Sequence, residues 1–424
     1  MKILSGKQYQ AEENKADLED TQRLDRDVLE IIGTVREQGD EALFAYTAKF
    51  DQLNLDQLRV SEEEMIEARV AVSEDFMRAI KKAHQNIKAF HEEQKEKSWF
   101  ITGEQGSVLG QKVTPLDSVG IYVPGGKASY PSTVLMNAIP AKIAGVKNIA
   151  ITTPAQKDGK VNPHVLVAAA EVGVETIYKV GGAQAIAALA YGTETVQQVV
   201  KIVGPGNAYV ARAKKWVFGD VAIDMIAGPS EICVVADDSA VPSYVAADLL
   251  SQAEHDERAT AICITTSESF AEALQGEVRK QTAVAERKAI IEQSITDNGR
   301  IVVVDSLAKA FELVNELAPE HLQLMIENPM EKVQYIENAG AIFLGNHSPE
   351  ALGDYIAGPN HTLPTSGTST FSSPLGVYDF VKKSSIIHYT KEALQDVSDD
   401  IITLANAEGL SAHANSIAIR KVDN

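Results

Sequence analysis

The sequence predicts an α/β protein with two Rossmann-like parallel-sheet units, a helical N-terminal region and an extended C-terminal tail. From about residue 119, short β-branched runs end at Gly or Pro and precede Ala-rich segments of helical character. The alternation recurs about every 25–30 residues as far as residue 375, which is typical of parallel strands joined by crossover helices. A chain of 424 residues also exceeds one ordinary core.

The N-terminal region, residues 1 to about 97, is highly charged and is predicted to be helical. Apolar positions over 76–90 have the spacing of an amphipathic helix. We expect this region to pack on the second of the two α/β units. His84 and His91 are expected at the surface or in helix packing.

The strand-like runs form two groups of similar design. The first group comprises 119–123, 148–153, 176–180 and 199–203, and the second comprises 231–236, 261–265, 300–304, 322–326 and 341–345. They predict four parts of the chain: an N-terminal arm at 1–23, one α/β domain from 24–121 with 231–375, another at 122–230, and a tail at 376–424.

The tail contains too few apolar residues for a core of its own. It holds a strand-like run at 385–389, a helix from about 391 to 407 that Gly409 terminates, and a short helix at 411–419. Glycine at that position suits a left-handed helix cap. We expect the tail to dock elsewhere on this chain or on a partner subunit.

Charge and composition exclude several classes of function. The 59 acidic and 39 basic residues give a formal net charge of −20, which argues against nucleic acid or an anionic membrane as a partner. Neither a signal peptide nor a membrane span is recognisable, so a cytoplasmic protein is expected. Cys233 and Cys263 lie in apolar runs and are expected to be buried and inert.

One pair of side chains indicates a metal. Gln252 and His255 are three residues apart at the end of a predicted helix, so they share a face. A carboxamide oxygen and an imidazole nitrogen are both ligands for a divalent metal. A solvated helix end remains the simpler interpretation of this pair alone. Glu254 and Asp256 are expected to face away and to serve structure.

Further candidates occur downstream, and each has a structural alternative. Glu320 and His321 precede a strand, where neighbouring side chains point apart and could reach two points of one substrate. Asp354 and His361 lie in 353–365, a loop by composition, where a turn-capping Asp and an exposed His are equally plausible. Glu408 and His413 flank the helix break in the tail and, taken alone, resemble surface residues.

Glycine turns after strands are consistent with phosphate or dinucleotide binding. However, neither a Gly-x-Gly-x-x-Gly fingerprint nor a Walker motif follows a predicted strand. The segment Gly204-Pro205-Gly206-Asn207 is either a ligand loop or a tight strand-to-helix turn.

Together, these segments resemble the histidinol dehydrogenase family over nearly the whole chain from about residue 20. The resemblance rests on long motifs in the family's order. They are Gly120-Ile121-Tyr122-Val123-Pro124-Gly125-Gly126, Gly182-Ala183-Gln184-Ala185-Ile186-Ala187, Gly204-Pro205-Gly206-Asn207, Asp224-Met225-Ile226-Ala227-Gly228-Pro229-Ser230-Glu231, 251–256, 318–322, 353–365 and Gly409-Leu410-Ser411-Ala412-His413-Ala414.

The resemblance implies a zinc-containing, NAD-dependent oxidation of L-histidinol to L-histidine through the aldehyde. It also implies a homodimer whose C-terminal tail completes the neighbouring active site, with 122–230 as the NAD-side domain. By motif, the resemblance implies that the zinc ligands are Gln252, His255, Asp354 and His413 and that the catalytic pair is Glu320 and His321. The implied substrate site consists of Ser230, His361 and Glu408 together with His321 and the four zinc ligands. The implied NAD site consists of Tyr122, Gln184 and Asn207.

Two other functions remain open at this point. A zinc hydrolase would use Glu320 to activate water without a redox step. A non-catalytic relative would keep a metal or nucleotide site without turnover.

The chain departs from the family pattern near Pro359 and at Ser369-Thr370, outside the implied site residues, so only local loop shape is affected. Manganese or cobalt could occupy the same ligands as zinc.

Overall fold

The computed structural model describes residues 1–11, 18–125 and 129–422. Gly126, part of the glycine turn named above, and part of the predicted arm at 1–23 lie outside these residues. The chain divides into two compact units, one formed by 1–94 with 117–379 and the other by 95–116 with 380–424. The domain boundaries expected from sequence remain a prediction.

The strands follow the predicted order with several additions. They are β1 (Lys2–Ser5), β2 (Trp99–Thr102), β3 (Val108–Pro115), β4 (Ser118–Tyr122), β5 (Asn148–Thr152), β6 (Thr176–Tyr178), β7 (Lys201–Val203), β8 (Ala222–Ile223), β9 (Glu231–Ala236), β10 (Thr260–Thr265), β11 (Arg300–Val303), β12 (His321–Met325), β13 (Ala341–Leu344) and β14 (Val381–His388).

The α-helices occupy the segments between them. They are α1 (Gly6–Gln10), α2 (Leu18–Gln38), α3 (Asp40–Tyr46), α4 (Glu62–Ala71), α5 (Glu74–Glu92), α6 (Pro131–Ala144), α7 (Pro163–Glu171), α8 (Gly182–Tyr191), α9 (Ala208–Val217), α10 (Pro242–Ala253), α11 (Glu268–Val284), α12 (Lys288–Asp297), α13 (Leu307–Leu317), α14 (Pro329–Lys332), α15 (Glu350–Leu352), α16 (Lys391–Ala407) and α17 (Ser411–Val422). None of the described helices is long and apolar enough to span a bilayer.

The first unit contains two parallel sheets, as the predicted α/β class requires, and their strand orders match except for an extra edge strand, β1, in the second. One sheet runs β6-β5-β4-β7-β8, and the other runs β1-β11-β10-β9-β12-β13. In each, the first strand of the predicted group lies centrally, and the order in which strands are added to the sheet reverses beside it, between β4 and β7 or between β9 and β12. This reversal is the topological switch point of Rossmann-like folds.

Continuous apolar runs form the central strands because helices cover both faces of the sheet. In β9, Ile232 and Val234 belong to one core cluster, and Cys233 and Val235 belong to another on the opposite face. The burial predicted for Cys233 and Cys263 is confirmed. Burial raises the pKa of the Cys233 thiol to about 12, so it remains protonated near neutral pH.

The expectation for the packing of the N-terminal helices was wrong. Val28 and Leu43, from α2 and α3, share a core cluster with Ala187 and Leu189 of α8, and α4 and α5 contact α7 and α6. These helices therefore cover chiefly the unit at 122–230, not the second unit. An amphipathic pattern identifies the buried face of a helix but not the surface that covers it.

The second unit is built around a small antiparallel sheet. β14 pairs with β3 over its whole length, and β2 pairs on the other side of β3. The predicted tail helices are confirmed as α16 and α17. Gly409, between them, has φ +75, the left-handed conformation expected for glycine at a helix end.

The turn after β7 is held by a buried ion pair. Asp224 Oδ2 accepts from the Gly204 N–H at 2.7 Å, and Lys214 Nζ donates to the Gly204 carbonyl at 3.0 Å. The Lys214 and Asp224 side chains also contact each other and are only 2% and 1% exposed. Gly204 has φ +108, and a Cβ atom there would lie 2.2 Å from the Tyr122 carbonyl oxygen.

We therefore predict that Gly204→Ala destabilises the protein by about 3 kcal/mol or more, because it combines left-handed strain with a backbone clash. Thermal unfolding followed by circular dichroism should show a lower Tm. Gly276→Ala is the matched control: Gly276 lies in α11, and nothing lies within 4 Å of a Cβ built there. It should leave the Tm unchanged or raise it. Equal Tm values for the two variants would contradict this account of the turn.

Candidate active site

A cavity of about 480 Å³ gathers most of the predicted site residues of the first unit. It lies at the carboxyl ends of β4 and β7 and at the amino ends of β9 and β12. Its lining includes Ser230, Gln252, His255, Glu320, His321, Asp354, His361 and Asn207. Residues widely separated in the sequence thus share one chamber.

Glu320 and His321 both bind the backbone of Glu231. Glu320 Oε2 accepts from the Glu231 N–H at 2.8 Å, and His321 Nδ1 donates to the Glu231 carbonyl at 3.0 Å. Glu320 Oε2 and His321 Nδ1 lie 3.7 Å apart, so the expectation that the two side chains point apart was wrong. Parallel pairing of β12 with β9 brings Glu231 beside both side chains.

Three histidines of the cavity are held by the backbone through the same ring nitrogen, Nδ1. The Nδ1 atoms of His255, His321 and His361 lie 3.0 Å from the backbone carbonyls of Ser251, Glu231 and Asp354, respectively. A carbonyl only accepts, so each Nδ1 carries a proton and donates. In the neutral rings of His255 and His321, Nε2 is consequently left with a lone pair for a metal or a proton, whereas His361 Nε2 lies 3.4 Å from the Thr133 hydroxyl.

Buried carboxylates surround His321. Glu350 is 2% exposed and Glu320 is 7% exposed. Burial raises the pKa of Glu350, and it raises the pKa of Glu320 to about 7 against the opposing charge of His321. Burial alone would lower the pKa of His321, but Glu350, Glu320 and Asp354 outweigh it and raise that pKa to about 10. The chamber is therefore strongly attractive to positive charge.

The donor set of this chamber fits a divalent cation. Ligand atoms of His321, Glu350 and Asp354 all lie within 4.8 Å of one another. His321 Nε2 is buried and has no hydrogen-bond partner among the described residues, and it lies 3.8 Å from Asp354 Oδ1. Imidazole nitrogen with carboxylate oxygen is a donor set that suits zinc and related metals.

The Gln252 carboxamide lies in contact with Glu350. If its nitrogen faces that carboxylate, it donates to Glu350 Oε2 at 2.9 Å while its oxygen accepts from the Glu231 N–H at 3.1 Å. In the opposite orientation, its oxygen faces the carboxylate oxygens. A cation between them or a proton on Glu350 would stabilise that second arrangement, so the orientation of this amide depends on the charge that the chamber holds.

A second cleft of about 840 Å³ adjoins this chamber. Both are lined by Pro124, Gly125 and Asn207, while Tyr122 and Gln184 line only the second cleft. The predicted cofactor residues thus lie together at the switch point between β4 and β7, where open α/β sheets bind ligands.

Local hydrogen bonds hold the side chains of Tyr122 and Asn207, but not the side-chain oxygen of Gln184. The Tyr122 hydroxyl accepts from the Gly182 N–H at 3.1 Å. Asn207 caps α9 by accepting from the Val210 N–H at 3.1 Å. Gln184 Oε1 is buried without a hydrogen-bond partner among the described residues.

The remaining predicted site residues, Glu408 and His413, belong to the second unit. Glu408 follows α16, and His413 lies in the first turn of α17. Both side chains are exposed within that unit. The geometry of the first unit therefore does not bear on the part that the resemblance implies for these two residues.

Several features of the site were missed or misjudged from sequence. Glu350 lies four residues before Asp354, and this helical spacing was the available signal. The start of the predicted loop is instead a π-helical segment, Gly353–Ala357. Asp256 was expected to face away, yet it lines the chamber while accepting from the Arg258 N–H at 3.0 Å. His91 is fully buried and packs beside Asn360.

Comparison with known proteins identifies the family of this chain. The family model of histidinol dehydrogenase matches residues 14–421. The histidinol dehydrogenase of Oceanobacillus iheyensis is 59% identical over 422 residues, covering 99% of both chains. That of Caldanaerobacter subterraneus is 57% identical over 410 residues, covering 96% of this chain and 95% of the other.

A solved structure supports the same assignment. The crystal structure of histidinol dehydrogenase from Elizabethkingia anophelis matches with a TM-score of 0.91 and 40% identity, covering 99% of this chain and 97% of that one. Sequence and fold therefore agree over nearly the full length. The chain belongs to the histidinol dehydrogenase family and is an oxidoreductase.

Proposed function

We propose that the protein oxidises L-histidinol to L-histidine through L-histidinaldehyde, using NAD and a bound zinc ion. The observation that carries the proposal is the convergence of Glu320, His321 and Asp354 in one buried chamber that opens beside a cofactor-sized cleft. A hydrolase would need the chamber but would have no use for the adjoining cleft.

His321 is the proton acceptor in this proposal. Its Nδ1 is committed to the Glu231 carbonyl, so Nε2 is the atom that receives the alcohol proton. The same atom receives a proton when the aldehyde hydrate is oxidised. Additional positive charge among the surrounding carboxylates would lower the pKa of His321 toward the range in which it can act as a base.

Glu320 is the group that activates water to form the hydrate. Its pKa, raised to about 7, matches a general base that works near neutral pH. The Glu231 N–H holds one carboxylate oxygen of Glu320, which fixes the direction of the other. The two residues therefore divide the proton transfers between them.

The proposed zinc ligands are Gln252, His255, Asp354 and His413. Their imidazole nitrogens and side-chain oxygens are donor atoms that zinc accepts. Zinc, when bound, anchors the imidazole and amine of the substrate and so positions the reacting carbon. Ser230, His361 and Glu408 complete the substrate site in this proposal. The cluster of His321, Glu350 and Asp354 is a competing ligand set.

The cleft beside the chamber is the proposed NAD site, with Tyr122, Gln184 and Asn207 as contacts. NAD, when bound there, accepts a hydride in each of the two oxidation steps. The unpartnered Gln184 Oε1 supports this assignment because it calls for a hydrogen-bond donor from a ligand. We also propose a cytoplasmic homodimer in which the tail of each subunit supplies Glu408 and His413 to its neighbour.

The first test is an activity assay. Purified protein mixed with L-histidinol and NAD should produce NADH, and a chelator should abolish the reaction until zinc is restored. Omission of either substrate is the control. Absence of NADH with zinc-loaded protein would contradict the proposal and favour a hydrolytic or non-catalytic role.

The second test separates the base from the metal ligands. His321→Asn should lower kcat about a hundredfold or more, because it removes a general base, yet retain about one zinc per chain by elemental analysis. His255→Asn should lose zinc. His347→Asn, at an exposed turn, is the control and should change neither quantity. Loss of zinc from His321→Asn would instead favour the competing ligand set.

The third test concerns the shared site. Inactive His413→Ala and inactive His321→Asn subunits should regain activity when unfolded and refolded together. If the tail crosses between subunits, a mixed dimer has one intact site, so random mixing restores up to about a quarter of wild-type activity. Each variant refolded alone is the control. Mixed dimers without activity would refute the crossing of the tail.

A further inference from the structure

The residue Asp51 occupies an unusual position in the cofactor cleft. It ends the π-helical segment Thr47–Asp51 and lines the cleft. Its Oδ2 atom is buried and accepts no hydrogen bond from any residue that the structure describes. A buried polar atom without a partner is costly. Rotation of the carboxylate about a broad torsion lets either oxygen meet a donor in the cleft.

The two cavities orient a dinucleotide in the cleft. Its reacting ring must reach the chamber of His321, so that end lies beside Pro124, Gly125 and Asn207, the residues that line both spaces. Asp51 lines the cleft but not the chamber. It therefore faces the other end of the ligand, the adenosine end.

The neighbours of Asp51 fit an adenine ring. Phe50 is 49% exposed and lines the same cleft as Ile31 and Leu53. Its ring stacks in parallel on Tyr46, with centroids 5.5 Å apart, so the exposed aromatic ring is held in place. An immobilised aromatic and two aliphatic side chains offer a surface for a flat base.

We propose that Asp51 binds the adenosine ribose through its hydroxyl groups and so selects the dinucleotide that lacks a 2′-phosphate. This inference rests on the proposed function, since it assigns a selectivity to the proposed NAD site. A ribose hydroxyl supplies the donor that the Asp51 carboxylate lacks. A 2′-phosphate removes that donor and adds about two negative charges, which the carboxylate repels.

The charge of the described cleft lining agrees with this selectivity. Its cationic member is Lys157, an exposed lysine, which can neutralise a diphosphate as a point charge. A lysine lacks the planar donor fork with which arginine recognises a phosphate bidentately. Rossmann proteins take an acidic ribose ligand from a site about 20 residues beyond the glycine turn. Here Asp51, from the N-terminal helical region, occupies that role.

Kinetics of Asp51→Asn with NAD and NADP test the proposal. The near-isosteric amide removes the charge, so the ratio of kcat/KM for NAD to that for NADP should fall at least about tenfold. The change should lie in the KM values, with kcat for NAD and KM for L-histidinol nearly unchanged. Asp56→Asn, exposed and outside the cleft lining, is the matched control and should preserve the ratio.

A binding measurement keeps the outcome independent of catalysis. Calorimetric titration of the wild-type protein with AMP and with adenosine 2′,5′-bisphosphate, which differ only in the 2′-phosphate, should show tighter binding of AMP, and Asp51→Asn should narrow the difference. An equal loss of both cofactors, or an unchanged ratio, would overturn the role of Asp51. Absence of histidinol oxidation by the wild type would instead refute the proposed function, and the AMP titration would still test Asp51.

Discussion

The buried ion pair of Lys214 and Asp224 is the interaction on which both cavities depend. It holds the N–H and the carbonyl of Gly204 at once, which fixes the turn that follows β7. Asn207, three residues later, lines both cavities. Buried ion pairs add little net stability because desolvation offsets attraction. The value of this pair therefore lies in the geometry that it imposes on the wall shared by the two cavities.

A second constraint is the excess of carboxylate in the chamber around His321. Glu231, Glu320, Glu350 and Asp354 all influence one another or His321, and several are nearly inaccessible to water. Such a group remains charged only if cations compensate it. Protons on His321 and Glu350 provide one solution, and a divalent metal provides another. Occupancy by metal and the basicity of His321 are consequently linked.

Sequence reasoning succeeded where a local pattern carried the information. Continuous apolar runs located β9 and β10, and the helix expected from about 391 to 407 is confirmed as α16. The strands β1 and β2 were missed because most of their residues are exposed and show no apolar alternation. Glu350 was missed because its four-residue spacing to Asp354 was the only local signal, whereas His321, Glu320 and Asp248, which also act on it, are distant in sequence.

The linker between the two sheets explains why the chamber uses opposite strand ends. Parallel sheets ordinarily bind ligands at carboxyl ends, and both cavities lie at that end of the sheet containing β4 and β7. The chain then leaves β8 and crosses to β9 through 224–230, most of which lines the chamber. Because β9 begins where this linker ends, its amino end must face the chamber, and its parallel neighbour β12 presents the same end. This topology places Glu320 and His321 before and at the start of β12, rather than beyond its end.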